Sequence, residues 1–354
     1  MPKYRLVRIE TPEDIVKHKE AILSLWKRSL PKLSEDCFDW VYKDNPEGPA
    51  KTVLAQCIDS NEFVGCAAVY PRAVFVQGRQ KKAGILINFG IDAQHRVFGP
   101  ALLLQKEILT AYLSKEYDFI FGYPNQHAEG IFKRAGYLLV GKGDYWTKVL
   151  DWSSKTGKVL KVKFLSVLVG RLLECIYSLP GWFYTTSLKD FYEVKIISEP
   201  GKDFNQLWET AGKSYGVIGT RDHIYLKWRY QSNAYASCKF FCVYDQSQHM
   251  LGYVAYKQNA RVINIDDFFA ADTVVAKVVF ALFVRHMRQT GSSAVIMVHM
   301  GDKKFRDCLK GQCVIRKQNA RPALIVFGSG LTDQEKSCLL DKNNWHIFDG
   351  ELDL

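Results

Sequence analysis

The stretch that decides the fold is Ile91–Leu109, "IDAQHRVFGPALLLQKEIL". An apolar, strand-like run ends at Ile91, a basic turn follows, and Gly99, Pro100 and Ala101 open a helix. A helix start carries unpaired backbone N–H groups and the positive end of the helix dipole. Small residues there let another molecule approach the backbone, and an anion, most often a phosphate, suits the place. Pro100 has no N–H to offer but favours the first helical position.

Outward from this point the first half reads as alternating elements. Tyr4–Ile9 is a strand. The stretch after Thr11 is a helix, with Thr11 as N-cap, Pro12 at its first position and Asp14 completing a capping-box pattern. "SEDCFDWVYKDNP" is a shorter helix stopped by Asn45 and Pro46. Strands at 51–58, 63–77 and 81–92, separated by "DSN" and "GRQ", suggest an antiparallel meander. After the Gly99 helix come a buried strand, "YDFIFGY", a helix, "NQHAEGIFKRAGY", ending at Gly136, and two closing strands, "YLLVG" and "DYWTKVLDW".

The second half echoes the first. "WVYKDN" (Trp40–Asn45) returns as "WRYQSN" (Trp228–Asn233), and in both halves an apolar-Gly strand follows some 20 residues later. "VINIDDFFAAD" stands where "INFGIDAQHR" stood, and the helix after it opens at Thr273 with no basic turn and no glycine. A repeat of this size implies two similar folds in tandem. The expected division is 1–152, a linker helix over 153–190 that mixes Lys and Arg with apolar residues, and 191–354. The linker reads as a helix packed across the interface, or as a basic amphipathic helix on an anionic membrane.

Across 354 residues, 47% are apolar and 24% charged, enough to fill real cores; the net charge of +11 favours anionic partners. Nine cysteines at irregular spacing lack paired zinc spacing and read as reduced, mostly buried thiols of a cytoplasmic protein. The N-terminus is polar rather than an apolar signal core, and no apolar run is long enough for a spanning helix. Lys and Arg are dispersed and nucleic-acid modules are absent, so charge alone is weak evidence for RNA or DNA.

The element order resembles the GNAT acyltransferase family. "RVFGPA" is similar to that family's R/Q-x-x-G-x-G/A pyrophosphate motif, with Arg96, Gly99 and Ala101 in place, and "NQHAEGIFKRAGY" to its later motif, with Asn125, Ala128, Gly136 and Tyr137 matching. The resemblance covers Tyr4 to about Leu150, and the second half by architecture only. It implies an α/β (α+β) chain of two tandem GNAT-like domains, each a mixed, mostly antiparallel sheet flanked by helices. It implies acetyl-CoA or another acyl-CoA as donor and an amine as acceptor. An amino sugar or cell-envelope polysaccharide precursor is the acceptor suggested by tandem relatives. The resemblance places pantetheine on the backbone of Phe89, Gly90 and Ile91. It places pyrophosphate on Arg96, Val97, Phe98, Gly99 and Ala101, with Asn125 also at the cofactor site.

One departure concerns proton transfer. The family's tyrosine, seven residues after Asn125, is Phe132 here, which cannot protonate a departing thiolate. Either water or another residue, such as Tyr123, His127 or Tyr137, does that job, or the domain binds CoA without transferring from it. No carboxylate lies on "GILINFGI"; Asn88 cannot act as a base, and Asp92 suits a turn or cap. Asp266 and Asp267 lie on the equivalent second-half strand, where at most one normally faces a given cleft. The candidate catalytic set is therefore Tyr123, His127 and Asp266. The acidic "FDGELDL" end reads as frayed. Two other readings stand beside the enzyme. One is aminoacyl transfer from charged tRNA, which needs no CoA; the other is a non-catalytic acyl-CoA-binding or membrane-associated module.

Overall fold

The computed structural model describes residues 3–31, 33–96, 99–152, 191–232, 238–301, 303–309 and 312–351. The expected linker helix over 153–190, together with Val97 and Phe98, lies outside them.

In chain order the first half comprises β1 (Tyr4–Ile9), α1 (Pro12–Ser29), α2 (Cys37–Tyr42), β2 (Lys51–Cys57), β3 (Phe63–Val76) and β4 (Arg79–Ile91). It continues with α3 (Pro100–Tyr112), β5 (Phe119–Gly122), α4 (Gln126–Ala135) and β6 (Leu138–Val149). The second half runs β7 (Glu193–Ile197), α5 (Asp203–Ala211), β8 (Val217–Gly219), α6 (His223–Tyr230), β9 (Lys239–Tyr244), β10 (Met250–Asn259) and β11 (Val262–Ala270). It closes with α7 (Thr273–Gln289), β12 (Ala294–Gly301), α8 (Lys303–Leu309), β13 (Ile315–Phe327), α9 (Asp333–Leu340) and β14 (His346–Phe348).

Local chemistry sets these elements. The Thr11 side chain accepts from the Asp14 N–H while Asp14 accepts from Thr11, so the capping box forms as read. Gly136 ends α4 at φ +106°, a conformation that favours glycine. Apolar residues at helical spacing seat α1 on the sheet through Ile15, Ile22, Leu25 and Trp26, all buried.

The strands form one mixed sheet, ordered β1-β2-β3-β4-β5-β13-β6-β12-β11-β10-β9-β7. The meanders β1–β4 and β9–β11 are antiparallel, and each half adds one parallel neighbour, β5 beside β4 and β12 beside β11. The two closing strands expected at the end of the first half are one continuous strand, β6, and it leaves its own half. β13 pairs with β5, whereas β6 pairs with β12, and the two pair with each other at the centre. Each half thus supplies the strand that completes the other.

The W-x-Y-x-x-N segments meet across the seam. Trp40 and Trp228 stack at 5.1 Å, and each indole N–H donates to the other's backbone carbonyl, at 2.8 and 3.0 Å. They are packing units, held by a reciprocal pair of hydrogen bonds.

The described part of the acidic stretch expected to be frayed, Phe348–Glu351, is anchored to the core. Phe348 is in the core, and the Glu351 carboxylate accepts from Arg221 at 2.7 Å and Arg72 at 3.3 Å, two arginines each 1% exposed. Arg221 also holds Asp267, and Arg72 holds Glu47. Such charges stay inside only because they are paired. No disulfide joins the eight described cysteines, and seven of them are buried.

Candidate active site

The site follows from how β4 and β5 part company. They pair in parallel only over Ala83–Ile85 and Phe119–Phe121. A Cβ on Gly122 would sit 3.0 Å from the Leu86 Cβ, so this glycine allows the last close approach before the strands diverge. Beyond it a cavity of about 270 Å³ opens, walled by Leu86–Phe89 on β4, by Tyr123–Asn125 after β5, by Ala128 and Phe132 on α4, and by Leu30, Pro31 and Leu33 after α1.

The β4 wall is kinked. Cys66 opposes Gly90 but Ala68 opposes Ile87, so β4 holds one extra residue, a bulge at Asn88–Phe89. Asn88 sits at φ +51° and is buried. Its amide donates to the Tyr42 hydroxyl at 3.2 Å, and its carbonyl accepts from the Cys66 thiol at 3.2 Å. Phe89 meets Phe132 edge to face at 5.8 Å. Gly90 is pressed against the end of α1, where an added Cβ would lie 3.0 Å from Leu30.

After β4, Gly99 is the N-cap of α3 at φ +93°, with Pro100 at the first helical position. Nothing lies within 4 Å of where a Gly99 Cβ would be, so the approach to this helix start is open. Arg96 is exposed, and its Nε donates to the Ile91 carbonyl at 3.1 Å. Ala101 is buried in the first turn of α3.

The remaining candidates separate. Asn125 caps α4, its Oδ1 accepting from the His127 and Ala128 N–H groups at 3.0 Å each, and it also lines the cavity. Tyr123 lines the cavity with its hydroxyl buried and unpartnered, and burial, with the nearby Glu351 charge, holds its pKa well above the usual tyrosine value. His127 is exposed at the start of α4 and lies outside the cavity wall. Tyr137 donates to Gln105 at 3.3 Å within the core, which removes it as a proton donor to the cavity. Asp92 is held by Arg28 and Ser29, tying the end of β4 to α1.

Asp266 departs from its expected place. It pairs with Lys257 at 2.7 Å, accepts from the Cys238 thiol at 3.5 Å, and is not part of the cavity wall. Asp267 turns the other way, to Arg221 and the Tyr253 hydroxyl. Sequence reading missed Tyr42 as a site element. Its only signal is a polar group on the buried face of α2, which needs a partner.

The equivalent place in the second half is closed. β11 and β12 pair in parallel up to Ile265 and Met297 and then part. β14 fills the gap, pairing with β12 over His299–Gly301 while a His346 ring nitrogen bonds the Phe268 carbonyl at 2.8 Å. Phe305 and Phe348 pack on Phe268 there. At the start of α7 the Asp272 carboxylate accepts from the Val274 and Val275 N–H groups. A negative side chain thus occupies the donors that a phosphate would need.

The fold is that of the GCN5-related N-acetyltransferases. No family model and no curated relative matches the sequence. A probable N-acyltransferase from Enterococcus faecalis superposes with a TM-score of 0.65 at 12% identity, over 92% of this chain and 72% of the other. A GCN5-related N-acetyltransferase from Anabaena variabilis gives 0.61 at 11% identity, over 92% and 73%. Saccharomyces cerevisiae N-myristoyltransferase with bound myristoyl-CoA gives 0.56 at 12% identity, over 97% and 85%. Within this GNAT fold, no cluster of three or more metal-ligating side chains occurs among the described residues, and no described helix is long and apolar enough to cross a membrane.

Proposed function

We propose that the first-half groove binds an acyl-CoA and that the protein transfers the acyl group to an amine. The observation that carries this is the cavity that opens where the β4–β5 pairing ends at Ile85 and Phe121, on the strand that leads into the uncrowded Gly99 helix start. Pantetheine would lie between the strands against the backbone of Phe89 and Gly90. Pyrophosphate would lie at the start of α3, where the dipole and first-turn N–H groups favour negative charge. Arg96 would add a charged contact.

Transfer follows as attack of the neutral amine on the thioester carbonyl. The tetrahedral intermediate collapses, the C–S bond breaks and the thiolate leaves. Tyr123 is the side chain bordering the groove that could protonate that thiolate, since Phe132 has nothing to donate. The tyrosinate regains its proton from the ammonium formed on the acceptor. His127 and Asp266 have no part in this reading, because neither reaches the groove wall. The filled second-half gap and the Asp272 cap support one acyl-CoA site, in the first half, with 191–354 as the partner that completes its sheet. The acceptor class, an amino sugar or envelope precursor, rests on resemblance alone.

The test is calorimetric titration of acetyl-CoA and longer acyl-CoAs into the parent and into an Arg96→Ala, Gly99→Glu variant checked for folding. Binding lost in the variant places the donor at the α3 start. A folded parent that binds none of them refutes the reading and returns attention to aminoacyl-tRNA, whose binding would fall steeply with salt.

A further inference from the structure

We propose that Tyr42 is a positioning residue for the acyl donor, because it holds the β4 bulge in its bent form. The inference rests on the acyl-CoA reading of the groove and adds a residue outside it. Among the described residues, Asn88 is the one non-glycine position with positive φ that lies inside a strand, and it is also buried. Asparagine tolerates the left-handed conformation better than other side chains, but it still costs more there than glycine does, so a fastening favours it.

Two bonds do so. The Asn88 amide reaches the Tyr42 hydroxyl, and the Asn88 carbonyl takes the Cys66 thiol. Tyr42 cannot follow if the bulge relaxes. Its ring is fully buried, stacked on Trp26 at 5.9 Å and against Phe38 at 4.8 Å. Two residues earlier on the same short helix, Trp40 is fastened to Trp228 across the seam. The hydroxyl is therefore a fixed point, and the bulge is set against it.

The geometry at stake is the groove wall. The extra residue is what turns Phe89 toward Phe132 while Asn88 faces Tyr42. Loss of the bulge shifts the strand by one residue and exchanges those two faces. The backbone of Phe89 and Gly90, which the acyl-CoA reading assigns to pantetheine, would turn with it. In the second half a carboxylate stands near the matching bulge. Asp267 there accepts from Tyr253 and Arg221, a different fastening beside a groove that is filled.

The experiment compares the parent, Tyr42→Phe, Asn88→Gly and the double variant. Tyr42→Phe keeps the ring and removes only the hydroxyl. Glycine adopts the left-handed conformation freely, so Asn88→Gly needs no fastening. Two readouts are taken: hydrogen–deuterium exchange over Ala83–Ile91 in the free protein, and acetyl-CoA affinity. Tyr42→Phe is expected to speed exchange in β4 and to weaken binding roughly three- to tenfold, the loss of one hydrogen bond. In the Asn88→Gly background the same change should alter neither. Parent-like exchange and affinity in Tyr42→Phe, or an equal loss in the glycine background, overturns the proposal. A parent that binds no acetyl-CoA removes the acyl-CoA reading and the ligand with it, while the exchange arm still decides whether Tyr42 sets the bulge.

Discussion

Acid should unfasten β14 before it affects the rest of the molecule. His299 and His346 are each 1% exposed, their rings 5.6 Å apart, one on β12 and one on β14. Burial pushes both imidazoles well below the ordinary value of 6.5; His346, Arg306 and Arg221 add to the effect on His299, and Arg221 adds to that on His346. A His346 ring nitrogen bonds the Phe268 carbonyl, which opposes the shift without reversing it. Both rings are therefore neutral in the folded protein while the unfolded chain takes up protons below pH 6.5. The unfolded state then binds more protons, so stability rises with pH. The full contribution is present above 6.5 and is lost as pH falls below it. Each histidine contributes a slope of at most about 1.4 kcal/mol per pH unit, reached where the unfolded ring is protonated and the folded one is not. Carboxylates with lowered values act mostly nearer pH 4, below this window. Urea unfolding at pH 5, 6 and 7 measures the slope. His299→Leu removes one titrating group, together with a buried ring nitrogen that has no partner. It should halve the slope due to the pair, leaving the protein near its parent stability at pH 7. Equal slopes in parent and variant would falsify the assignment of a neutral buried imidazole at 299.

Three further outcomes follow from geometry already described. Arg221→Met leaves Asp267 and Glu351 buried without their shared cation and should cost about 3–5 kcal/mol, whereas Glu351→Gln leaves Arg72 with Glu47 and Arg221 with Asp267 and should cost only about 1–2. Denaturant midpoints give the order, and a larger loss in Glu351→Gln would contradict it. Gly99→Ala meets no neighbour but keeps a φ of +93°, so it should lower stability by about 1–2 kcal/mol through backbone strain alone, with Gly99→Asn milder in the same melts. Trp40→Phe and Trp228→Phe each remove one indole donor, and because the two bonds share one stacked pair the double variant should cost less than the sum of the singles in a double-mutant cycle.

Much of the fold was legible because its signals are local. Thr11 and Asp14 write their capping box into four residues, Gly99-Pro100 mark a helix start, Gly136 marks a helix end, and the meander strands carry their own turns. The features that escaped are long-range. Nothing in "YLLVG" or "DYWTKVL" says that β6 will pair with β12, since a strand's sequence records which face is buried more clearly than which neighbour it takes. The Glu351–Arg72 contact joins residues 279 positions apart, so "FDGELDL" looked like an exposed acidic end. The site divided in the same way. Asn125 follows from cap chemistry and lines the groove, and Gly99 follows from the helix start after β4. Asp266 was chosen by analogy with an equivalent strand, and the bulge beside it with the Lys257 pairing gave it another place. The left-handed Asn88 and its Tyr42 partner carry almost no local signature, because each is an ordinary residue until the other is placed beside it.

The exchange of β6 and β13 has a consequence for how the molecule comes into being. Gly122 on β5 faces Leu324 on β13, about 200 residues further along the chain. During synthesis the meander and α3 can form early, but β5 then presents a bare edge until nearly the whole chain has emerged. Unpaired edges invite other strands, and contacts this distant in sequence form slowly. Neither half is then a unit that can be cut out and expected to fold. An isolated first half would expose β5, keep β6 with no proper neighbour, and pair them wrongly or with other copies of itself. The sheet behind the groove is complete only when β13 arrives from the second half of the chain.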